Sequence, residues 1–286
     1  MEILLDDSTL VTLGHGVRVL ARGEDAVQFG VDATRSGVVE TPLASALSRA
    51  LGGTDWPLTV GTLKDRLVGE CRVDTTSART LIDDLWSYRI LVPAEPAAVA
   101  VLGTSLLARE ITRVLNACGA VVRIPLTNED TADFLERQDG VPVVVVDRAH
   151  EYLTHGRVLK RHSGWLVPVL SYDSRVIVGP VARDGRYACA MCAYMHLQDR
   201  DEHFHHTSAA LTQQPATMDP VVAAVGAAAA AVVVRRLCGM PDPPGVIAET
   251  PGIGWAAVVD PLGSQPVVDV DMAPHPQCPV CAAQEI

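Results

Sequence analysis

The chain has 286 residues, of which 48% are hydrophobic and 20% charged, so it is long and apolar enough to form two folded domains and is not a disordered polypeptide. Its formal net charge of −11 would repel a phosphate backbone, which disfavours nucleic-acid binding. No positively charged segment leads into an apolar run near residue 1, so the sequence predicts no secretory signal, and we expect a cytoplasmic protein.

Residues 1–93 have the pattern of a small unit with three strands and three helices. Residues 17–23 and 25–32 alternate apolar and polar side chains, which predicts a β-hairpin, and a third extended piece ends at Pro42. Three short helical patterns follow, the last of them after Asp74. The residues expected to face inward on this last helix are Leu81, Ile82, Leu85 and Tyr88. This set of elements is typical of a winged helix.

Residues 94–286 have a different pattern of apolar residues. Near-continuous apolar runs at 97–103, 120–126 and 141–147 alternate with helical patterns, which predicts a parallel sheet covered on both faces. Residues 165–181 supply two further strands, as a hairpin or a crossover. The apolar run 221–234 is shorter than the ~20 residues that span a bilayer, so it predicts a buried alanine-rich helix and no membrane association.

Four of the seven cysteines form two C-x-x-C pairs, Cys189 with Cys192 and Cys278 with Cys281. A C-x-x-C turn lets two thiolates reach one metal, and two such pairs complete a tetrahedral zinc site that has no open position for water. We therefore predict a structural Zn²⁺ that ties the last residues to the loop after residue 181. Two redox-active or incidental pairs are the alternative. The other three cysteines are expected to be small buried hydrophobes: Cys71, Cys118 and Cys238.

The tract after the first pair, HLQDRDEHFHH, is rich in histidine and acid side chains. The residues that could form a second metal site are His196, Asp199, Asp201, His203, His205 and His206. The tract lacks the i, i+4 histidine spacing of helical zinc sites in hydrolases, so a solvated polar loop is the simpler interpretation.

Two segments resemble motifs of a known family. Residues 176–201, which contain the Gly-Pro and the first C-x-x-C, and the closing HPQCPVCA of residues 275–282 resemble ThiF-like proteins. These proteins belong to the superfamily of ubiquitin-activating enzymes and are leader-peptide-binding partners of the YcaO cyclodehydratases that make thiazole- and oxazole-modified peptides. Residues 1–93 resemble the PqqD-like recognition element fused to them. The resemblance implies a winged-helix unit at 1–93, a Rossmann-like ThiF-type α/β domain at 94–286 and a homodimer.

The turn after the first strand of the α/β domain departs from the active members of this superfamily. Those members adenylate a carboxyl group with ATP and need glycine-rich backbone where the first strand meets its helix. Here the turn GTSLLA keeps only Gly103, and Leu106 and Ala108 stand at the other glycine positions. The second strand ends at Arg123 without an acid for the ribose. A degenerate nucleotide-binding loop predicts a protein that does not catalyse.

The resemblance also implies a binding mechanism, in which a leader peptide adds to the third strand as a further strand. The strand residues are Val38, Val39, Glu40 and Thr41, and the residues that face outward on the packing helix are Arg79, Asp83 and Trp86. Arginines that would attract an acidic leader, unless they are merely solvated, are Arg18, Arg22, Arg35 and Arg79. The implied function is a non-catalytic scaffold that presents a precursor peptide to a separate ATP-dependent YcaO cyclodehydratase.

Two other functions stay open. One is an ATP-dependent, ThiF-like adenylating enzyme that acts on a peptide or protein carboxylate through an altered phosphate loop. The other is a winged-helix DNA-binding regulator. Residues 75–90 carry two arginines and two aspartates, so the candidate recognition helix has no net charge, and this disfavours the DNA-binding alternative.

Overall fold

The structure is a computed structural model that describes residues 5–53, 55–185, 187–210 and 217–282. Its contacts divide the chain into two units, Met1–Pro96 with Pro241–Glu249, and Ala97–Met240 with Thr250–Ile286. The sequence-based boundary lies after residue 93 and assigns everything beyond it to one domain. In the structure the short segment Pro241–Glu249 groups with the first unit.

The first unit contains two small antiparallel sheets and four helices within its described residues. Its elements are β1 (Leu10–Leu13), β2 (Val19–Ala21), β3 (Ala26–Phe29), α1 (Ala33–Ser36), β4 (Val38–Glu40), α2 (Ala44–Leu51), β5 (Leu58–Thr59), α3 (Val60–Cys71), α4 (Thr75–Ser87) and β6 (Leu91–Pro93). The sheets have the strand orders β2-β3-β4 and β5-β1-β6. The predicted hairpin, the third extended piece and the three predicted helices are therefore present. The second sheet was not predicted, and the winged-helix assignment stays a prediction.

Helix α4 shows why the sequence pattern predicts a helix after Asp74. The Asp74 side chain accepts a hydrogen bond from the Ser77 backbone N–H and caps the helix, and Ile82 and Leu85 are buried in the core of the unit. Tyr88 was expected to face inward, but its side chain is 72% exposed. That expectation was wrong because the helix ends at Ser87, so Tyr88 no longer follows the helical spacing.

The second unit is built on a mixed sheet between two layers of helices. Its elements are β7 (Ala98–Leu102), α5 (Leu106–Ala117), β8 (Val121–Arg123), α6 (Thr131–Glu136), β9 (Val143–Val146), a 3₁₀ turn (Ala149–Glu151), α7 (Tyr152–Arg161), β10 (Trp165–Tyr172), β11 (Arg175–Val178), β12 (Ala182–Arg183), α8 (Ala190–Arg200), α9 (Phe204–Ala210), α10 (Pro220–Leu237), β13 (Trp255–Val259), β14 (Val267–Asp271) and α11 (Pro279–Ala282).

The sheet has a parallel half and an antiparallel half. Its strand order is β14-β13-β11-β10-β9-β7-β8, and β12 pairs with the beginning of β10. Strands β8, β7 and β9 run parallel, as the apolar runs predicted, and β10 pairs parallel with β9. Strands β10 and β11 form an antiparallel hairpin, and β13 and β14 extend that half. The unit is thus a mixed α/β fold, in which only one half has the parallel arrangement of a nucleotide-binding sheet.

Each face of the sheet carries its own core. Helices α5 and α10 pack on one face with Val99, Val101 and Val176, while α6, α7 and α8 pack on the other with Ala100 and Leu102. The predicted alanine-rich helix is α10, which packs against α5 and β11. Helix α10 is long and apolar enough to cross a membrane, but half of it is buried inside the fold. Buried core helices commonly have the same length and composition.

The close approach of α10 to β11 generates a testable expectation. A Cβ on Gly226 would lie 2.5 Å from Val176 Cγ2, whereas a Cβ on Gly69 of α3 would meet nothing within 4 Å. Gly69→Ala should stabilise the protein by about 0.5–1 kcal/mol through helix propensity. Gly226→Ala should instead destabilise it by about 1–2 kcal/mol, because overpacking outweighs the same gain. Urea unfolding measures both changes.

The double variant Gly226→Ala, Val176→Ala isolates the contact. If the clash with Val176 causes the loss, the Val176 substitution should cost less in the Gly226→Ala background than in the original chain. Additive effects would show that Gly226 has another role.

Candidate functional site

The four cysteines of the two C-x-x-C pairs converge into one cluster. Their sulfurs approach one another at 3.8 Å (Cys189–Cys192), 3.7 Å (Cys189–Cys278), 3.5 Å (Cys192–Cys281) and 3.7 Å (Cys281–Cys189), and none forms a disulfide. A metal with metal–sulfur distances of about 2.3 Å places tetrahedral thiolates about 3.8 Å apart. All four ligand atoms lie within 4.8 Å of one another, so the set fits a tetrahedral metal ion with no open position.

Two short helices and a loop place these sulfurs. Cys189 is the N-cap of α8 and Cys192 lies in the first turn of that helix. Cys278 directly precedes α11 and Cys281 lies within it. The His275 backbone joins the two pairs, since its carbonyl accepts from Cys278 N at 3.0 Å and its N–H donates to the Cys192 sulfur. Both pairs are therefore held in register by main-chain contacts.

The Gly-Pro motif that precedes the first pair has a packing explanation. Gly179 has φ +96°, and a Cβ there would lie 2.5 Å from the carbonyl oxygen of Trp255. Only glycine allows β13 to approach the chain this closely. The motif thus sets the path of the backbone toward Cys189.

The protonation of the cluster shows what a metal would supply. The hydrogen bond with Cys192, and then burial, raise the pKa of the Cys189 thiol, and burial raises the pKa of Cys278 to about 11. The same hydrogen bond from Cys189 lowers the pKa of Cys192 to about 4. Without a metal, the Cys192 thiolate is therefore stabilised by the protonated Cys189 thiol. A divalent cation provides the positive charge that lets all four ionise.

The remaining cysteines lie outside the cluster. Cys71 is buried, and Cys118 and Cys238 are half-buried. Burial raises the pKa of Cys238 to about 12, which keeps it protonated and unreactive at neutral pH. Their predicted role as small hydrophobes agrees with these positions.

The histidine-rich tract is helical, so the predicted solvated loop was wrong. Residues up to Arg200 belong to α8 and those from Phe204 to α9. Of the predicted ligands, only His196 and Asp199 approach a common point, and the third member of that group is His275. Within the described residues, the other predicted ligands lie outside the group: Asp201, His203, His205 and His206.

His275 is a member of the candidate group for which the sequence predicted no separate role. It is buried, its Nε2 lies 2.9 Å from Asp199 Oδ2, and its Nδ1 accepts from Gln277 N at 3.1 Å. His196 Nε2 lies 2.9 Å from the Ala273 carbonyl oxygen. These contacts anchor the loop before Cys278 to α8. The only sequence signal was the position of His275 three residues before Cys278 in the closing motif.

The turn that would receive a phosphate is occupied by its own side chains. The Ser105 hydroxyl caps α5 by accepting from Ala108 N at 3.2 Å, and the Arg109 guanidinium donates to the Thr104 carbonyl at 2.8 Å. Gly103 has φ +145°, and a Cβ there would lie 2.6 Å from the Val146 carbonyl. Gly103 is therefore needed for backbone packing, and one of the amides that could bind an anion is already paired.

Strand β4 has an open edge. Among the described residues its only partner strand is β3. The flanking backbone hydrogen bonds are Phe29 N to the Gly37 carbonyl and Thr41 N to the Asp25 carbonyl. Because bonding directions alternate along an antiparallel strand, Val39 faces β3, and the N–H and C=O groups of Val38 and Glu40 point to the open side.

The predicted helix residues are only partly available. The Arg79 guanidinium bonds Asp83 at 3.0 Å and the Leu5 carbonyl at 2.7 Å. Asp83 is exposed and Trp86 is half-buried against the core of the first unit. The other arginines that were singled out are exposed: Arg18, Arg22 and Arg35. The peptide-binding role of all these residues stays a prediction.

Comparisons with known proteins identify the fold. No protein-family model and no curated protein matches the sequence. A solved heterocyclase in complex with substrate and cofactor matches with a TM-score of 0.58 and 15% identity, covering 96% of this chain and 39% of that one. The heterocyclase TruD matches with 0.56 and 15% identity, covering 96% and 43%. A structure of E. coli MccB gives only 0.48 at 14% identity, over 95% and 99% of the chains.

The chain therefore spans about two fifths of the length of the heterocyclases that it matches, and it shares the fold of that part. At 15% identity this likeness concerns the fold and does not extend to the chemistry.

The cysteine cluster predicts stoichiometric metal. The purified chain should carry one metal ion, measured by elemental mass spectrometry, and Cys278→Ser should lose it and lower the thermal midpoint by several degrees. Acidification should release the metal, because protons compete for the thiolates. Cys118→Ser, outside the cluster, should retain the metal. Full metal content in Cys278→Ser would contradict the assignment.

Proposed function

We propose that this chain is a non-catalytic scaffold that binds the leader of a ribosomal precursor peptide and presents it to a separate ATP-dependent YcaO cyclodehydratase. The shared fold with heterocyclases supports this proposal, since one of them was solved in complex with substrate and cofactor. In the proposal the cysteine cluster holds a structural Zn²⁺, because four thiolates in a closed tetrahedron are typical of zinc. The proposal further includes a homodimer that works in the cytoplasm.

The observation that carries the peptide-binding role is the open edge of β4. The outward N–H and C=O groups of Val38 and Glu40 offer one repeat of the hydrogen-bond ladder that an extended peptide requires. Val39 packs toward the core and so fixes the strand, while the Glu40 side chain is exposed. An incoming strand would gain affinity from main-chain bonds and selectivity from the side chains beside it.

The Gly103–Ala108 turn supports a scaffold that does not catalyse. An ATP-binding turn leaves backbone amides free for the phosphates. Here Ser105 occupies the Ala108 amide, and Leu106 supplies a side chain where close approach is needed. Strand β8 ends at Arg123, whose guanidinium donates to Gln138 Oε1 at 3.2 Å, and no acid replaces it.

An ATP-dependent adenylating enzyme is the second candidate, and the parallel half of the sheet favours it. The helix α5 still begins directly behind β7, as in nucleotide-binding sheets. ATP–pyrophosphate exchange separates the two candidates. We expect no exchange above background with the purified protein and peptide substrates, and exchange that depends on the intact Gly103 turn would support the enzyme.

The edge model makes a backbone-specific prediction. Glu40→Pro removes an N–H that points away from β3, so the fold should persist while binding of a labelled candidate precursor peptide weakens at least tenfold. Glu40→Ala removes only the side chain and should bind within about threefold of the original. Fluorescence anisotropy measures both affinities, and circular dichroism checks the fold. Equal binding by both variants would falsify the edge model.

A further inference from the structure

A cavity lies between α8 and the antiparallel half of the sheet in the second unit. Its volume is about 70 Å³, and its walls are mainly apolar. This is roughly five times the space that a single water molecule requires, so the cavity has room for a small organic group. Several wall residues are half-buried and give access from solvent: Leu170, Ile177, Leu197 and Met272.

Tyr152 places a polar atom in these apolar surroundings. The residue lines the cavity and is only 3% exposed. Its hydroxyl has no hydrogen-bond partner among the described residues. Burial, followed by the charges of Asp147 and Glu151, raises the pKa of Tyr152, so the hydroxyl stays protonated and able to donate. A buried hydroxyl without a partner is costly, and such a group is uncommon unless a ligand satisfies it.

The other tyrosine of the cavity provides a contrast. The hydroxyl of Tyr194 lies 2.6 Å from His205 Nδ1, so its hydrogen-bonding capacity is already used inside the protein. Tyr194 also packs against Phe204, with ring centroids 5.4 Å apart and an interplanar angle of 54°. Tyr194 is therefore wall structure, and Tyr152 is the residue whose polar atom is available.

We propose that this cavity binds a compact apolar group, such as an aromatic ring, that carries one hydrogen-bonding atom facing Tyr152. The apolar walls hold the body of the group and the Tyr152 hydroxyl selects its polar atom. Such a group can come from a free phenol or from a tyrosine side chain of a peptide. The inference does not depend on the peptide edge at β4 or on the proposed function.

Phenol and toluene test this selection, because phenol carries a hydroxyl group where toluene carries a methyl group of similar size. Both are titrated into the full chain and followed by protein-observed NMR. We expect phenol to bind about two- to tenfold more tightly than toluene. In Tyr152→Phe, which keeps the ring, this preference should disappear. Failure of the original chain to bind either compound, or a preference that survives in the variant, would overturn the proposal.

Two further measurements protect the test against a misfolded variant. Ala257→Leu fills the cavity from β13 and should abolish binding of both compounds, with circular dichroism as the check on folding. A crystal of the original chain soaked in phenol should show the ring between α8 and the sheet with its oxygen within hydrogen-bond distance of Tyr152. Density showing only water at Tyr152 would contradict the proposal.

The source of the group is resolved by comparing p-cresol with N-acetyl-tyrosine amide, which adds a peptide backbone to the same ring. Binding of both indicates that a peptide side chain can enter. Binding of p-cresol alone indicates a free small molecule. Either result supports the proposal. If neither compound binds, the proposal is contradicted.

Discussion

The position of the C-terminal segment depends on the four-cysteine cluster. Cys189 and Cys278 are 89 residues apart, and closing so long a loop has an entropic cost that grows slowly with length. The four-residue helix α11 that carries Cys281 is too short to be stable by itself. Main-chain bonds from His275 and the side-chain bond to Asp199 orient the loop, but four converging thiols need a cation to coexist as thiolates. A metal ion bound by the four thiolates would therefore contribute to the folding free energy of this unit.

The two halves of the sheet differ in strand direction and in the features at their ends. The parallel half keeps the topology of a nucleotide-binding fold, but in its first turn Ser105 accepts from the Ala108 amide and Arg109 donates to the Thr104 carbonyl. The antiparallel half, which a minimal parallel fold lacks, forms one wall of the cavity at Tyr152. Binding in the antiparallel half does not require a phosphate-binding turn in the parallel half. Likeness of fold to a heterocyclase is therefore a poor guide to activity here.

Local patterns were readable from the sequence, and distant contacts were not, except where two matching C-x-x-C motifs predicted a shared site. The buried run Val143–Val146 and the C-x-x-C spacing predicted a strand and a cluster, since each signal lies within a few residues. Strand β14 was missed because all its residues are exposed, so it carries no burial pattern. The return of Pro241–Glu249 to the first unit, the pairing of His275 with Asp199 and the unpartnered Tyr152 depend on residues far apart in the chain.

Helix α8 connects the four-cysteine cluster to the cavity. Its first turn carries Cys192, and the next turns carry Tyr194 and His196, which line the cavity. On the other side, β14 and Met272 line the cavity and lead directly to the loop that ends at Cys278. If a metal ion binds the four cysteines, its loss would free both walls at once, and the cavity would lose its shape. A bound metal would then raise the affinity of the cavity for a ligand that orders these walls. By thermodynamic linkage the ligand would raise the metal affinity by the same factor.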